Sequence, residues 1–199
     1  MSYAIIGFGS VGKAIARMFA RKKIEVAIAG RRPPEALAPL AKAIGPTIIP
    51  KSLQDALEAE IVVLAVPFWA HKDIAKAAAS WQGKIVIDAP NAFGVPTEEL
   101  YALASSVVIS QALTGAKLVK AFNHLPAGTL AEDPNVKGGR RVVFLSSDDE
   151  SATARVATLV ERLGFAPVDL GRLAEGGSLV QARGRTWTQL IFQDFVKFD

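Results

Sequence analysis

Short apolar runs alternate with amphipathic stretches along the whole chain. Tyr3–Gly7, Ile24–Ala29, Thr47–Ile49, Ile61–Val66, Lys84–Asp88, Leu118–Phe122, Arg141–Leu145 and Phe165–Leu170 have strand length. Several, Ile61–Val66 above all, are apolar throughout, as parallel strands covered on both faces require. After the first run, Val11, Ala14, Ile15, Met18 and Phe19 fall on one face of a helical stripe, with Lys13, Arg17, Arg21 and Lys22 mostly elsewhere. Further helices are predicted over Glu35–Ile44, Ser52–Glu58, Phe68–Ser80 and near Thr97–Ser105. Pro33 and Pro34 open the first of these and Gly45 ends it. Ser147 to Glu150 spells a capping box for a helix that runs to Leu163 and stops at Gly164. Pro167 lacks a ladder donor, so the last strand belongs at a sheet edge. Beyond Gly176–Gly177, the residues Trp187, Leu190, Ile191, Phe195 and Phe198 have helical spacing. Such a helix packs on its own core or forms a contact between two copies.

Strand–helix alternation with buried strands gives an α/β fold, a doubly wound and mostly parallel sheet of about eight strands. Its 199 residues suit one domain, with a core over about 1–170 and a small C-terminal helical portion over about 171–199.

Composition narrows the chemistry. Half of the residues are hydrophobic and 21% are charged, the balance of a folded protein. With no cysteine, disulfides, thiolate nucleophiles and Cys-held metal clusters are excluded. The only histidines are His71, expected on a helix surface, and His124, so a His-rich metal site is excluded too. The longest apolar run, Ile61 to Ala70, is far below the ~20 residues of a membrane-spanning helix. The first strand begins at Tyr3, which leaves no room for a signal peptide. A cytoplasmic protein without a membrane segment is expected. The net charge of +4 comes with no interleaved aromatics and no nucleic-acid motif, so nucleic acid is not an expected partner.

Gly7-Phe8-Gly9-Ser10-Val11-Gly12 is G-x-G-x-x-G, placed directly after the first strand and opening the first helix. In that context the motif binds a dinucleotide. Gly7 permits the tight turn, Gly9 admits the pyrophosphate to the backbone, and Gly12 lets helix and strand pack closely. The helix N-terminus then faces the anion. The second strand ends Ala29-Gly30-Arg31-Arg32, with no acid for a ribose 2′-OH, since Glu25 sits at its other end. Two guanidinium groups suit the 2′-phosphate of NADP instead.

Ligands in such folds bind beyond the carboxyl ends of the strands. Val66-Pro67-Phe68-Trp69, Asp88-Ala89-Pro90-Asn91 and Asn123-His124-Leu125-Pro126 lie there. Val66, Pro67 and Phe68 are candidates for the cofactor wall. Asn91 and Asn123 are candidates for hydrogen bonds to the nicotinamide carboxamide or to the acceptor ring, and His124 for a hydrogen bond or a proton.

These residues resemble the family of NADPH-dependent coenzyme F420 reductases. The likeness is carried by Gly7–Gly12, by Gly30-Arg31-Arg32, by Gly115 to Asn123, and by Gly164-Phe165 with Val168 to Leu173. It implies a Rossmann fold, usually dimeric, and hydride transfer between NADPH and a small-molecule acceptor, either F420 or a flavin (FMN or FAD). Related domains form the NADPH-oxidising part of six-transmembrane metalloreductases. Two departures stand out. Gly30 replaces a Ser or Thr common before the arginine, and Asn123-His124 replaces a His-Thr pair. A carbonyl or imine reductase would need an adjacent acid and, typically, a further helical domain. A non-enzymatic NADPH sensor is the reading from another class.

Overall fold

The computed structural model describes residues 1–96, 100, 103–182 and 194–198. Six parallel strands form its spine: β1 (Tyr3–Ile6), β2 (Val26–Ala29), β3 (Ile48–Pro50), β4 (Ile61–Leu64), β5 (Ile85–Asp88) and β6 (Lys117–Lys120). They lie in the order β3-β2-β1-β4-β5-β6, the Rossmann order. Pairs such as Ile5↔Ile28, Ile5↔Val63, Val63↔Ile87 and Ile87↔Val119 set a continuous register.

Both faces are dry, which is why these strands read as apolar runs, broken only by Asp88 in β5 and by Lys117 and Lys120 in β6. Ile5, Ile28, Val63, Ile87 and Val119 pack on one side against Ile15 and Phe19 of α1 (Ser10–Arg21) and Val156 and Leu159 of α7 (Glu150–Arg162). Leu37 and Ala41 of α2 (Pro34–Ile44) join that layer. Ile6, Val62, Leu64, Val86 and Leu118 face the other way. They meet Leu57 of α3 (Leu53–Leu57), Ile74 of α4 (His71–Ala77) and Ile109 of α5 (Ser105–Ala112). Burying each such side chain contributes roughly 1.5–3 kcal/mol.

After β6 the chain forms α6 (Ala127–Ala131), β7 (Asn135–Val136), the long β8 (Gly139–Ser147), α7, β9 (Ala166–Asp169), α8 (Gly176–Val180) and β10 (Val196–Lys197). The eight strands expected from the sequence are all present, and β7 and β10 bring the described total to ten. β8 runs antiparallel to β6 and parallel to β9. Among the described residues β9 pairs only with β8, the edge position expected from Pro167.

Two local expectations are corrected. The cap of α7 is Asp149, which accepts from the Ala152 N–H at 2.8 Å; Ser147 instead accepts from the Asp149 N–H and donates to the Leu118 carbonyl. Asp149 is the better placed because β8 continues through Ser147. Its carboxyl is held down at about 2, first by the Ser151 hydroxyl and then by Lys117 and the helix N–H. The helix expected near Thr97–Ser105 falls mostly on 97–99 and 101–102, which lie outside the described residues; α5 begins at Ser105. Phe195 and Phe198 flank β10 rather than extending a helix, and Phe195 stacks edge-on against Phe144 at 5.8 Å. Trp187, Leu190 and Ile191, the core of the expected contact between copies, lie outside the described residues.

Candidate active site

A cleft of about 660 Å³ opens at the carboxyl ends of β1, β4, β5 and β6. The chain reverses direction across the sheet between β1 and β4, and the cleft sits at that switch point, where ligands bind in such folds. Four loops build it. The first gives Gly9, Ser10 and Val11, the second Ala65, Val66 and Pro67, the third Ala89, Pro90, Asn91 and Phe93. The fourth gives Phe122, Asn123 and Leu125 to Ala127.

The glycines of the first loop divide the work. Gly7 has φ +102°, and a Cβ there would lie 2.4 Å from the Ala65 carbonyl oxygen. A Cβ on Gly12 would stand 1.9 Å from the Gly7 oxygen, so α1 rests directly on the turn. Gly9 has open space around its missing Cβ. It is the N-cap of α1, no side chain caps it, and the first turn carries no acid. The first N–H groups of α1 have no acceptor within the helix, which leaves an anion cradle facing the cleft.

Two sequence candidates also meet in the cleft. Asn91 Nδ2 donates to the Asn123 carbonyl at 2.8 Å, and Asn123 Nδ2 donates to Asn91 Oδ1 at 3.1 Å. Asn123 Nδ2 also donates to the Val180 carbonyl, and the Ala182 N–H donates to Asn91 Oδ1. Two strand-end loops and the segment after α8 are thus tied into one wall. Asn123 Oδ1 is buried with no protein partner among the described residues. Phe122, next to it, has φ +63°, a left-handed conformation that costs an aromatic residue about 1–3 kcal/mol. Such strain beside a cleft accompanies function more often than chance.

Other candidates lie elsewhere. Arg31 and Arg32 are exposed beyond β2, outside the cleft lining but across β1 from it. A Cβ on Gly30 would meet only the Phe8 nitrogen at 3.8 Å, so space, not backbone strain, distinguishes that position. Phe68 is buried in the core beneath Pro67, stacked on His71, and does not line the cleft. Trp69 is exposed and outside it. His71 is buried, not on the surface as expected, because its Nδ1 reaches back to the Phe68 carbonyl.

His124 does not reach the cleft. Its ring is fully buried against Phe144, with Nε2 3.1 Å from the Val142 carbonyl and Nδ1 unpartnered among the described residues. Burial pushes its pKa down from 6.5 to about 4, against the smaller pull of the Val142 carbonyl. The unfolded chain therefore takes up this proton first. The buried neutral ring contributes fully above pH 6.5, and its contribution is lost as pH falls toward 4. The loss reaches about 3 kcal/mol. Urea melts at pH 7 and pH 4.5 check this: His124→Gln should lose markedly less stability across the interval than the native chain, and equal losses overturn the assignment.

Sequence reasoning passed over Ala65, Phe93, Phe122 and Ala127, and it placed Ala89, Pro90, Leu125 and Pro126 on the rim without giving them a role. All of them sit within a few residues of a strand's carboxyl end, so the strand boundaries alone contained the signal.

Residues 2–92 match the family described as NADP oxidoreductase, coenzyme F420-dependent. Residues 2–92 thus form a domain of this family. A hypothetical protein of Sinorhizobium meliloti is 40% identical, with 99% of this chain and 96% of that one aligned at a TM-score of 0.91. A structure from Arthrobacter sp. FB24, whose name proposes an F420-dependent NADP-reductase, is 28% identical over 87% of this chain and 86% of that one, at a TM-score of 0.69. Metalloreductase STEAP3 of Rattus norvegicus is 25% identical over 175 residues, which are 85% of this chain and 34% of the rat protein. The chain thus spans about a third of the length of that curated relative. Among the described residues no helix is long and apolar enough to cross a membrane. The matched span contains the glycine cradle, whose face at Gly9 is open.

Proposed function

We propose that the chain transfers hydride between NADPH and a planar conjugated acceptor, coenzyme F420 or a flavin such as FMN or FAD. One observation carries this reading. The cleft that begins at the anion cradle is lined, among the described residues, by no ionisable side chain. Reduction of a carbonyl or imine needs an acid beside the reacting atom. Hydride transfer between two stacked rings needs only their alignment and the exclusion of water, since the reactive atoms belong to the cofactors.

On this reading Gly9, Ser10, Val11 and Gly12 hold the pyrophosphate, with Gly7 shaping the turn. Arg31 and Arg32 hold the 2′-phosphate. Val66 and Pro67 wall the nicotinamide, supported from below by Phe68. Asn123 offers its free Oδ1 to the carboxamide N–H, and Asn91 holds Asn123 in place. His124 takes no part in the chemistry; it packs the floor behind Asn123.

The test mixes NADPH with oxidised F420, FMN or FAD and follows absorbance. Enzyme-dependent bleaching of one acceptor, matched by NADPH loss, is expected. Protein that binds NADPH yet reduces none of the three would overturn the reading and favour a sensor.

A further inference from the structure

Beneath the cleft lies a polar ladder inside an otherwise apolar sheet. Asp88 and Lys120 are register partners at the ends of β5 and β6, and Lys120 is paired in turn with Ser146 of β8. All three are buried. Lys120 Nζ lies 3.2 Å from Asp88 Oδ2, which also accepts from the Ser106 hydroxyl at 2.6 Å. Gly177 of α8 covers the ladder, for a Cβ there would touch Lys120 Cδ and Ser146 Cβ at 3.7 Å. Asp88 Oδ1, Ser105 Oγ and Ser146 Oγ have no partner among the described residues.

Stability gives no reason for this pair. Removing two charges from water is costly, and an apolar pair of the same volume does as well or better. The remaining bond of Lys120 supplies a reason. Its ammonium donates to the Pro90 carbonyl at 3.3 Å, and Pro90 lines the cleft between Ala89 and Asn91. Proline has no N–H of its own to anchor that stretch. The carbonyl tether and the Asn91–Asn123 bonds therefore fix the height of the third loop.

We propose that Lys120, held by Asp88, is a positioning residue that sets the Pro90–Asn91 loop at the level the nicotinamide half of NADPH requires. The inference rests on the NADPH reading above. It predicts a split, because the adenosine half binds across β1, away from this loop.

Calorimetry with NADPH and with adenosine 2′,5′-bisphosphate tests it. The double variant Asp88→Asn/Lys120→Met removes the tether and leaves no lone buried charge. It should bind NADPH about ten-fold more weakly and the bisphosphate within two-fold of native. Ser106→Ala breaks a ladder bond but keeps the tether, and should bind both ligands as native does. If the double variant does not fold, Lys120→Arg keeps the ion pair, lengthens the tether and should show the same split. Native-like NADPH binding by the tether variant, equal loss of both ligands, or an equal effect of Ser106→Ala would overturn the proposal. A native chain that binds the bisphosphate but not NADPH overturns it as well. A native chain that binds neither ligand overturns the cofactor reading itself.

Discussion

Replacing Arg31 and Arg32 together with alanine should weaken NADPH about a hundred-fold and leave NADH within about two-fold. Charge-assisted hydrogen bonds are worth about 1.5–3 kcal/mol each. Both side chains are exposed, which puts each near the low end of that range. Two of them together give about 3 kcal/mol, or two decades in affinity. NADH has no 2′-phosphate and loses nothing through this contact. The preference should also shrink in high salt, since exposed charges are screened. Titration of both cofactors into the native and double-variant proteins decides the matter. Equal losses for NADH and NADPH would mean that the guanidinium groups stack on the adenine instead of reading the phosphate. Removing them should not change folding, because neither is in the core.

How much of this was legible in the sequence differs sharply between the two ends of the chain. From β1 to β6 the strands are apolar on both faces except for Asp88 at the end of β5 and the lysines that bound β6, so hydrophobicity marks them, and the glycine loop marks the point from which the sheet is read. The rim followed from the same boundaries. Beyond β6 the signals compete. Ser147 and Asp149 are both good caps, and only the length of β8 decides between them. Phe195 and Phe198, three apart, satisfy a helical period and not a strand period, so spacing alone points to a helix. The pairing of Val196 and Lys197, between them, with Arg141 and Arg140 is a tertiary choice. The histidines mislead for another reason. Side-chain direction decides whether a rim residue faces ligand or core, and Asn123 and His124 point to different places although they are neighbours. The left-handed Phe122 before them redirects the chain there, and no residue type announces it. The buried Lys120 was equally silent, since a lysine inside an apolar strand reads as a surface position until its register partner, Asp88, is known.

The glycine loop yields the second large effect, in two parts with opposite consequences. Gly9→Asp should leave the protein as stable as before, or slightly more stable, and reduce NADPH affinity at least a hundred-fold. The backbone there, at φ −81° and ψ −158°, accepts any residue, and nothing lies within 4 Å of the added Cβ. Aspartate is a better N-cap than glycine by a few tenths of a kcal/mol. The same carboxylate occupies the N–H groups that the pyrophosphate needs and repels it, which removes two or more hydrogen bonds of about 1.5–3 kcal/mol each. Gly12→Ala should do the reverse in order of cause. Its Cβ would collide with the Gly7 carbonyl, which is backbone and cannot swing aside, so α1 must lift from the turn. Overpacking of this kind costs about 1–3 kcal/mol or more, and a contact with main chain belongs at the upper end. Cofactor binding then falls as a consequence of the damaged fold. Urea melts and NADPH titrations on both variants separate the two. Loss of stability in Gly9→Asp, or a native melt for Gly12→Ala, would show that the roles assigned to these glycines are wrong. A stable Gly9→Asp protein without NADPH affinity identifies the open side of the cradle as the place the phosphates occupy, because no structural defect is left to explain the loss.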